Sequence, residues 1–231
     1  MSIEENIAQI RSRIDAAARE TGRTGDDIIL VGASKMNDAA ACQEAIAAGI
    51  DALGENRVQE MTGKLKENAY EGRPLYFIGH LQRNKVKQVV GKADLIQSVG
   101  SLPLLQEIEK TAARQELVQD ILLEVNIGGE EAKSGFAPEE IRAAAEAARE
   151  MSHIRVRGLM TIPPVASESH GNMPYFQKLY AIYVDINENL YNNKMEYISM
   201  GMSGDFEDAI RCGSNMVRVG TAIFGQRKYN R

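Results

Sequence analysis

Lys35 closes the apolar run Val31-Gly32-Ala33-Ser34-Lys35. An amine at the end of such a run, placed at the mouth of a folded core, is partly desolvated. Desolvation lowers its pKa and frees the lone pair for attack on a carbonyl. The same position also suits a surface lysine whose ammonium snorkels to water at the start of a loop, and position alone favours that plainer role. A second set of residues bears on the choice. Met200-Gly201-Met202-Ser203-Gly204-Asp205 and Val219-Gly220-Thr221-Ala222 each end an apolar run near the C-terminus. Glycines let backbone N–H groups approach an anion, and Ser203 and Thr221 add hydroxyl donors. One such turn is commonplace; a pair of them is a candidate phosphate cradle. Arg218 precedes Gly220 by two residues, so strand alternation puts both on one side. Facing inward, its guanidinium approaches a ligand. Facing outward, it pairs with a helix carboxylate. Both orientations are open at this level.

The elements that must position these groups follow from hydrophobic periodicity. Apolar runs read as strands at 28–33, 52–54, 75–79, 95–99, 121–125, 156–160, 197–200 and 216–219. Ile3, Ile7, Ile10 and Ile14 recur at helical spacing, and helical patterns cover 102–116, 138–151 and 173–190. Strands alternating with helices imply parallel pairing, because a parallel pair needs a crossover. Eight such units imply a closed (β/α)8 barrel rather than an open sheet. The stretch 162–174 reads as the one long irregular loop, and no Ser/Gly/Pro-rich linker divides the chain, so a single domain over 1–231 is expected.

In such a barrel, reactive groups lie at the C-terminal strand ends. Those ends gather Lys35, then Asn56 and Arg57, then His80, then Asn126. Met160 and Thr161 end the sixth strand, Ser203 and Asp205 follow the seventh, and Arg218, Gly220 and Thr221 end the eighth. Barrels often bind phosphate in the loops after strands seven and eight, where both glycine turns fall. A phosphate anchor facing an amine across the mouth is the layout that a phosphorylated aldehyde cofactor needs. An inward Arg218 would then face the pyridine nitrogen of pyridoxal 5'-phosphate (PLP), keep it unprotonated and make the ring a weaker electron sink. His80 can stack on the ring or donate to it, although a satisfied polar residue is the plainer role. Met160, Met200 and Met202 are expected near the site.

Composition narrows the partners. The chain has 231 residues, 44% hydrophobic and 26% charged, with a formal net charge of -5, a balance that argues against nucleic acid and anionic membranes. Arg83, Lys85, Lys87 and Lys92 read as a solvated helix face, with no aromatics between them. Cys42 and Cys212 form no CxxC and no zinc spacing, and read as free thiols in a reducing cytosol. The three histidines show no metal-ligand spacing. The N-terminus lacks the basic and apolar regions of a signal peptide, and no apolar stretch approaches transmembrane length, so a cytoplasmic location is expected.

These segments, in order and across nearly the whole chain, are similar to the pyridoxal phosphate homeostasis (YggS/PROSC) family. The likeness rests on the runs at 31–35, 54–60, 77–85, 158–162, 199–205 and 217–225. It implies the barrel of fold-type III PLP enzymes such as alanine racemase, without their second, β-rich domain. It implies that Lys35 forms the internal aldimine, that Ser203, Gly220 and Thr221 hold the phosphate, and that Arg218 faces the pyridine nitrogen. Asn56, His80 and Met160 would line the ring. Met36 departs from the Thr that many relatives carry there, which should alter the pocket rim. The implied role is to keep PLP available yet sequestered and to influence amino-acid and keto-acid balance, with apo PLP-dependent enzymes as expected recipients and no assigned reaction. The alternative is an amino-acid racemase, which needs a proton donor on each face of the ring. In the racemases a partner-subunit Tyr serves the second face. Here the sequence ends at Arg231, shortly past the eighth strand, and none of the eight tyrosines falls at a strand end, Tyr76 lying inside the third. That favours the carrier and, without a second domain, a monomer. A barrel that binds no ligand would leave both glycine turns unexplained.

Overall fold

Strands buried on both faces require near-continuous apolar runs. The computed structural model, which describes residues 1–130, 132–166 and 168–225, closes eight of these runs into one parallel barrel. The strands are β1 (Ile29–Ala33), β2 (Ala52–Glu55), β3 (Leu75–Phe77), β4 (Leu95–Val99), β5 (Gln119–Glu124), β6 (Ile154–Met160), β7 (Tyr197–Ser199) and β8 (Met216–Val219). Each pairs with its sequence neighbours, and β8 returns to β1 in a register running from Ile29↔Met216 to Gly32↔Val219. The expected strands are all present, with shifted ends. β5 and β6 each begin two residues before their apolar runs. Polar residues there join the ladder because Asp120 accepts hydrogen bonds from Arg155 Nε at 2.7 Å and Nη2 at 3.0 Å on the neighbouring strand.

The helices are α1 (Ile3–Arg19), α2 (Ala39–Ala47), α3 (Val58–Leu65), α4 (Leu102–Arg114), α5 (Ile141–Arg149), α6 (Met173–Asn189), α7 (Phe206–Arg211) and α8 (Thr221–Phe224). A capping box between Ser2 and Glu5 starts α1. Its apolar face, Ile7, Ile10, Ile14, Ala17 and Ala18, is buried. Asn6 Nδ2 donates to Ile223 O at 2.8 Å and ties α1 to α8. The basic segment after β3 forms a 3-10 helix, Arg83–Gln88, and not an α-helix; Arg83 and Lys87 are exposed on it. Residues 162–166 and 168–172 are irregular, but they are not alone, because 125–130 and 132–140 after β5 are irregular as well. There the chain folds back on its own strand end: Asn126 N donates to Phe136 O and Phe136 N to Glu124 O, with Gly129 and Gly135 in the left-handed region.

Two cores result from the two-residue period. Leu30, Leu53, Phe77, Ile96, Leu123 and Val217 pack outward against the helices. Val31, Ala52, Tyr76, Leu95, Leu122, Met160 and Met216 fill the lumen. Met200 belongs to the outer core, so its side chain packs against the helix layer and not at the site expected for it. Alternation explains this: Ser199 faces in, and the next residue faces out. Cys42 and Cys212 are free, buried thiols. Among the described residues no helix is long and apolar enough to cross a membrane.

Candidate functional site

The mouth is built from the strand ends that the barrel brings into one ring. Val31 and Ala33 line the lumen, and Lys35 follows on the same alternation, half-buried. β8 runs beside β1, so Gly220 lies against the end of the strand that leads to Lys35. A Cβ on Gly220 would sit 3.3 Å from Ala33 O. Ser203, from the loop after β7, reaches the same spot. Its Oγ accepts from Gly220 N at 3.3 Å and lies 3.3 Å from Thr221 Oγ1. The two glycine turns therefore converge, with hydroxyls and a backbone N–H directed at one point. Asp205 shapes the first turn, accepting from Met202 N at 2.7 Å and from Asn172 Nδ2 at 2.7 Å. A Cβ on Gly204 would meet nothing within 4 Å.

Arg218 faces inward, which resolves the two orientations that alternation allowed. It pairs in register with Val31, is 4% exposed, and donates to Ser199 Oγ at 2.5 Å and Thr161 O at 2.8 Å. Ser199 Oγ in turn donates to Gln97 Oε1 at 2.7 Å. Burial pulls the guanidinium down to about 10, against the opposing fields of Glu124 and Asp205. It stays protonated at neutral pH and is aimed into the barrel axis. Met160 is fully buried in the lumen and forms part of its floor. Asn56 is half-buried, and its Oδ1 is enclosed with no hydrogen-bond partner. A buried carbonyl without a donor is rare and points to a ligand contact. Arg57 is exposed and lies 3.8 Å from Glu60. Asn126 is spent on its own loop, exchanging hydrogen bonds with Glu130.

His80 is exposed and lines a cleft of about 530 Å3 with Glu124, Lys133, Ser134 and Ile162. Glu124 escaped the sequence reading, although a carboxylate inside Ile121-Leu122-Leu123-Glu124-Val125 was the available signal. It is 6% exposed; Ser134 Oγ donates to its Oε1 at 3.4 Å, and Oε2 has no partner. Burial pushes its carboxyl above the usual range, against the Ser134 hydrogen bond and the charges of Arg218 and His80. A folded-state pKa above the unfolded one means that stability falls as pH rises from the unfolded value through the folded one. Glu124→Gln is therefore expected to raise Tm at pH 7.5, by about 2–4 °C for each kcal/mol recovered. The gain should shrink towards zero as pH falls below the unfolded value, where the wild-type carboxyl becomes protonated in both states. Thermal melts at pH 7.5 and below the unfolded value measure this.

Sequence comparison agrees with this geometry. The family model "Alanine racemase, N-terminal domain" matches residues 2–228. A relative from Aquifex aeolicus, named pyridoxal phosphate homeostasis protein, is 41% identical over 99% of this chain and 100% of its own length. The structure of PipY from Synechococcus elongatus, with PLP bound, superposes with a TM-score of 0.84 at 28% identity, covering 97% of this chain and 100% of PipY. Alanine racemase from Clostridium difficile shares the fold at 18% identity with a TM-score of 0.76, covering 99% of this chain and 58% of the racemase. The chain belongs to the pyridoxal phosphate homeostasis protein family, built on the alanine racemase N-terminal domain.

Proposed function

We propose that the chain is a single-domain, monomeric, cytoplasmic carrier that holds PLP at the barrel mouth through Lys35 and runs no dedicated reaction. The observation that carries this reading is the convergence of Ser203, Gly220 and Thr221 beside the end of β1. In this reading Ser203 Oγ, Thr221 Oγ1 and the Gly220 N–H hold the phosphate oxygens. Arg218 donates to the pyridine nitrogen, and Asn56, His80 and Met160 line the ring. PLP supplies an aldehyde that bonds reversibly to amines, and Lys35 provides the amine that retains it. A protein that holds such an aldehyde and gives it up to apo PLP-dependent enzymes keeps it from reacting at random. Racemisation would need a proton donor on each face of the ring. Tyr76 and Tyr197 do face the lumen, but they pair with Gly54 and Gly158, below the strand ends. Their depth supports the carrier over the racemase.

The test is the absorption spectrum of the purified protein, with borohydride reduction and peptide mass mapping. A near-visible band with the pyridoxyl mass on the Lys35 peptide supports the reading. No band after adding PLP removes it. The cradle has its own test. Ser203→Ala is expected to weaken PLP binding about tenfold, the worth of one hydrogen bond to a charged group. Binding of pyridoxal, which lacks the phosphate, should not change. Equal weakening of both ligands would place Ser203 elsewhere.

A further inference from the structure

Lys35 sits in a turn that α3 grips from both sides. Before it, Lys64 Nζ donates to Ser34 O at 2.8 Å. After it, Met36 N donates to Glu60 Oε2 at 2.8 Å. Glu60 and Lys64 are four residues apart, so one face of α3 carries both anchors. Lys64 is itself fixed by a buried carboxylate. Its Nζ lies 2.6 Å from Glu55 Oε1, with side-chain exposures of 9% and 0%. The same Oε1 accepts from Ser34 Oγ at 2.6 Å and Tyr70 Oη at 3.1 Å. Glu55 thus joins the ends of β1 and β2, the strands that lead to Lys35 and Asn56.

Stability alone does not account for this arrangement. Replacing a buried ion pair with well-packed apolar residues is often neutral or stabilising. Met36 adds a second oddity. Its φ is +64, a left-handed conformation that an ordinary L-residue disfavours. The Glu60 acceptor on its N–H holds it there.

We propose that Glu60 and Lys64 are positioning residues, a clamp from α3 that holds the Lys35 turn and sets how fast PLP is exchanged. The proposal rests on Lys35 as the attachment point. In that exchange the carbon–nitrogen double bond to Lys35 is replaced by one to an incoming amine. Lys35 recovers its amine with protons from the incoming one, and no electrons or water are gained or lost. With the clamp in place, Lys35 stays where it re-forms the bond. With the turn relaxed to negative φ, Lys35 is displaced and the incoming amine wins.

The experiment uses the PLP-loaded protein and a small alkoxyamine in excess, and follows decay of the near-visible band by stopped flow. Four proteins are compared: wild type, Glu60→Ala, Glu60→Gln, and the double variant Glu60→Ala/Met36→Gly. Glu60→Ala is expected to lose the band about tenfold faster, a change of about 1.4 kcal/mol. Glu60→Gln should stay within about twofold of wild type, because the amide oxygen still accepts from Met36 N–H. It also removes the contact between opposite charges on Arg57 and Glu60, so its rescue separates the clamp from that pair. Glycine adopts positive φ at little cost, so the double variant should return towards wild type. A wild-type or slower rate in Glu60→Ala, or no recovery in either rescue, overturns the clamp. A wild-type protein with no band overturns the Lys35 assignment instead.

Discussion

Lys35→Ala is expected to lose the near-visible band and the borohydride-trapped pyridoxyl mass, yet still bind PLP. The Kd should rise on the order of a hundredfold, about 2.7 kcal/mol. The reasoning follows from how the site divides. The proposed covalent hold comes from one residue after β1. The proposed phosphate hold comes from Ser203, Gly220 and Thr221, on the loops after β7 and β8, which contact one another through the Ser203 hydroxyl. Arg218 likewise keeps its place through Ser199 and Thr161. Removing the amine therefore leaves a formed anion site. Equilibrium dialysis beside the spectrum separates the two contributions. Complete loss of PLP binding would mean that the two loops do not hold phosphate.

The second large effect is expected at Gly79, between β3 and His80. A Cβ there would lie 2.2 Å from Asn56 O and 2.5 Å from Asn56 Cα, both backbone atoms with no rotamer to escape by. Gly79 O is also held, accepting from Ser98 Oγ at 2.5 Å. Gly79→Ala must push apart the loops that carry Asn56 and His80. Such overpacking costs about 1–3 kcal/mol, a Tm fall of about 2–12 °C in a chain of this size. PLP should bind more weakly as well, because two residues proposed to line its ring move together. Trapping on Lys35 should persist, since β1 is not displaced. Thermal melts and PLP titration on the same variant check both parts. An unchanged Tm would show that the loops are not in contact at this point.

Gly79 also marks how the sequence relates to the site. As Ile78-Gly79-His80 it ends an apolar run, and a glycine in that place is unremarkable in one dimension. Its demand comes from Asn56, a residue distant in sequence that closure of the barrel sets against it. Glu55 and Lys64 behave alike. In sequence they are an ordinary acid and an ordinary helix base, and only the packing of α3 on the strand ends makes them a buried pair behind Lys35. Glu124 was visible as a charge inside an apolar run, but not as a group facing the mouth cleft.

What the sequence determined by itself was the barrel and the rank order of its strand ends. Parallel strands covered on both faces must be apolar throughout, and crossovers must be helical or turn-rich, so both leave a one-dimensional trace. Lys35, Ser203, Gly220 and Thr221 were legible as candidates for the same reason, because chemistry in this architecture gathers where apolar runs stop. What only the tertiary structure decided was phase and contact. Alternation says that Arg218 and Gly220 share a side, but not which side. Closure of β8 onto β1 sets that phase, turning Arg218 into the lumen and Met200 out of it. Contacts between residues far apart in the chain depend on the radius at which eight strands close, and no local pattern of residue types encodes that distance.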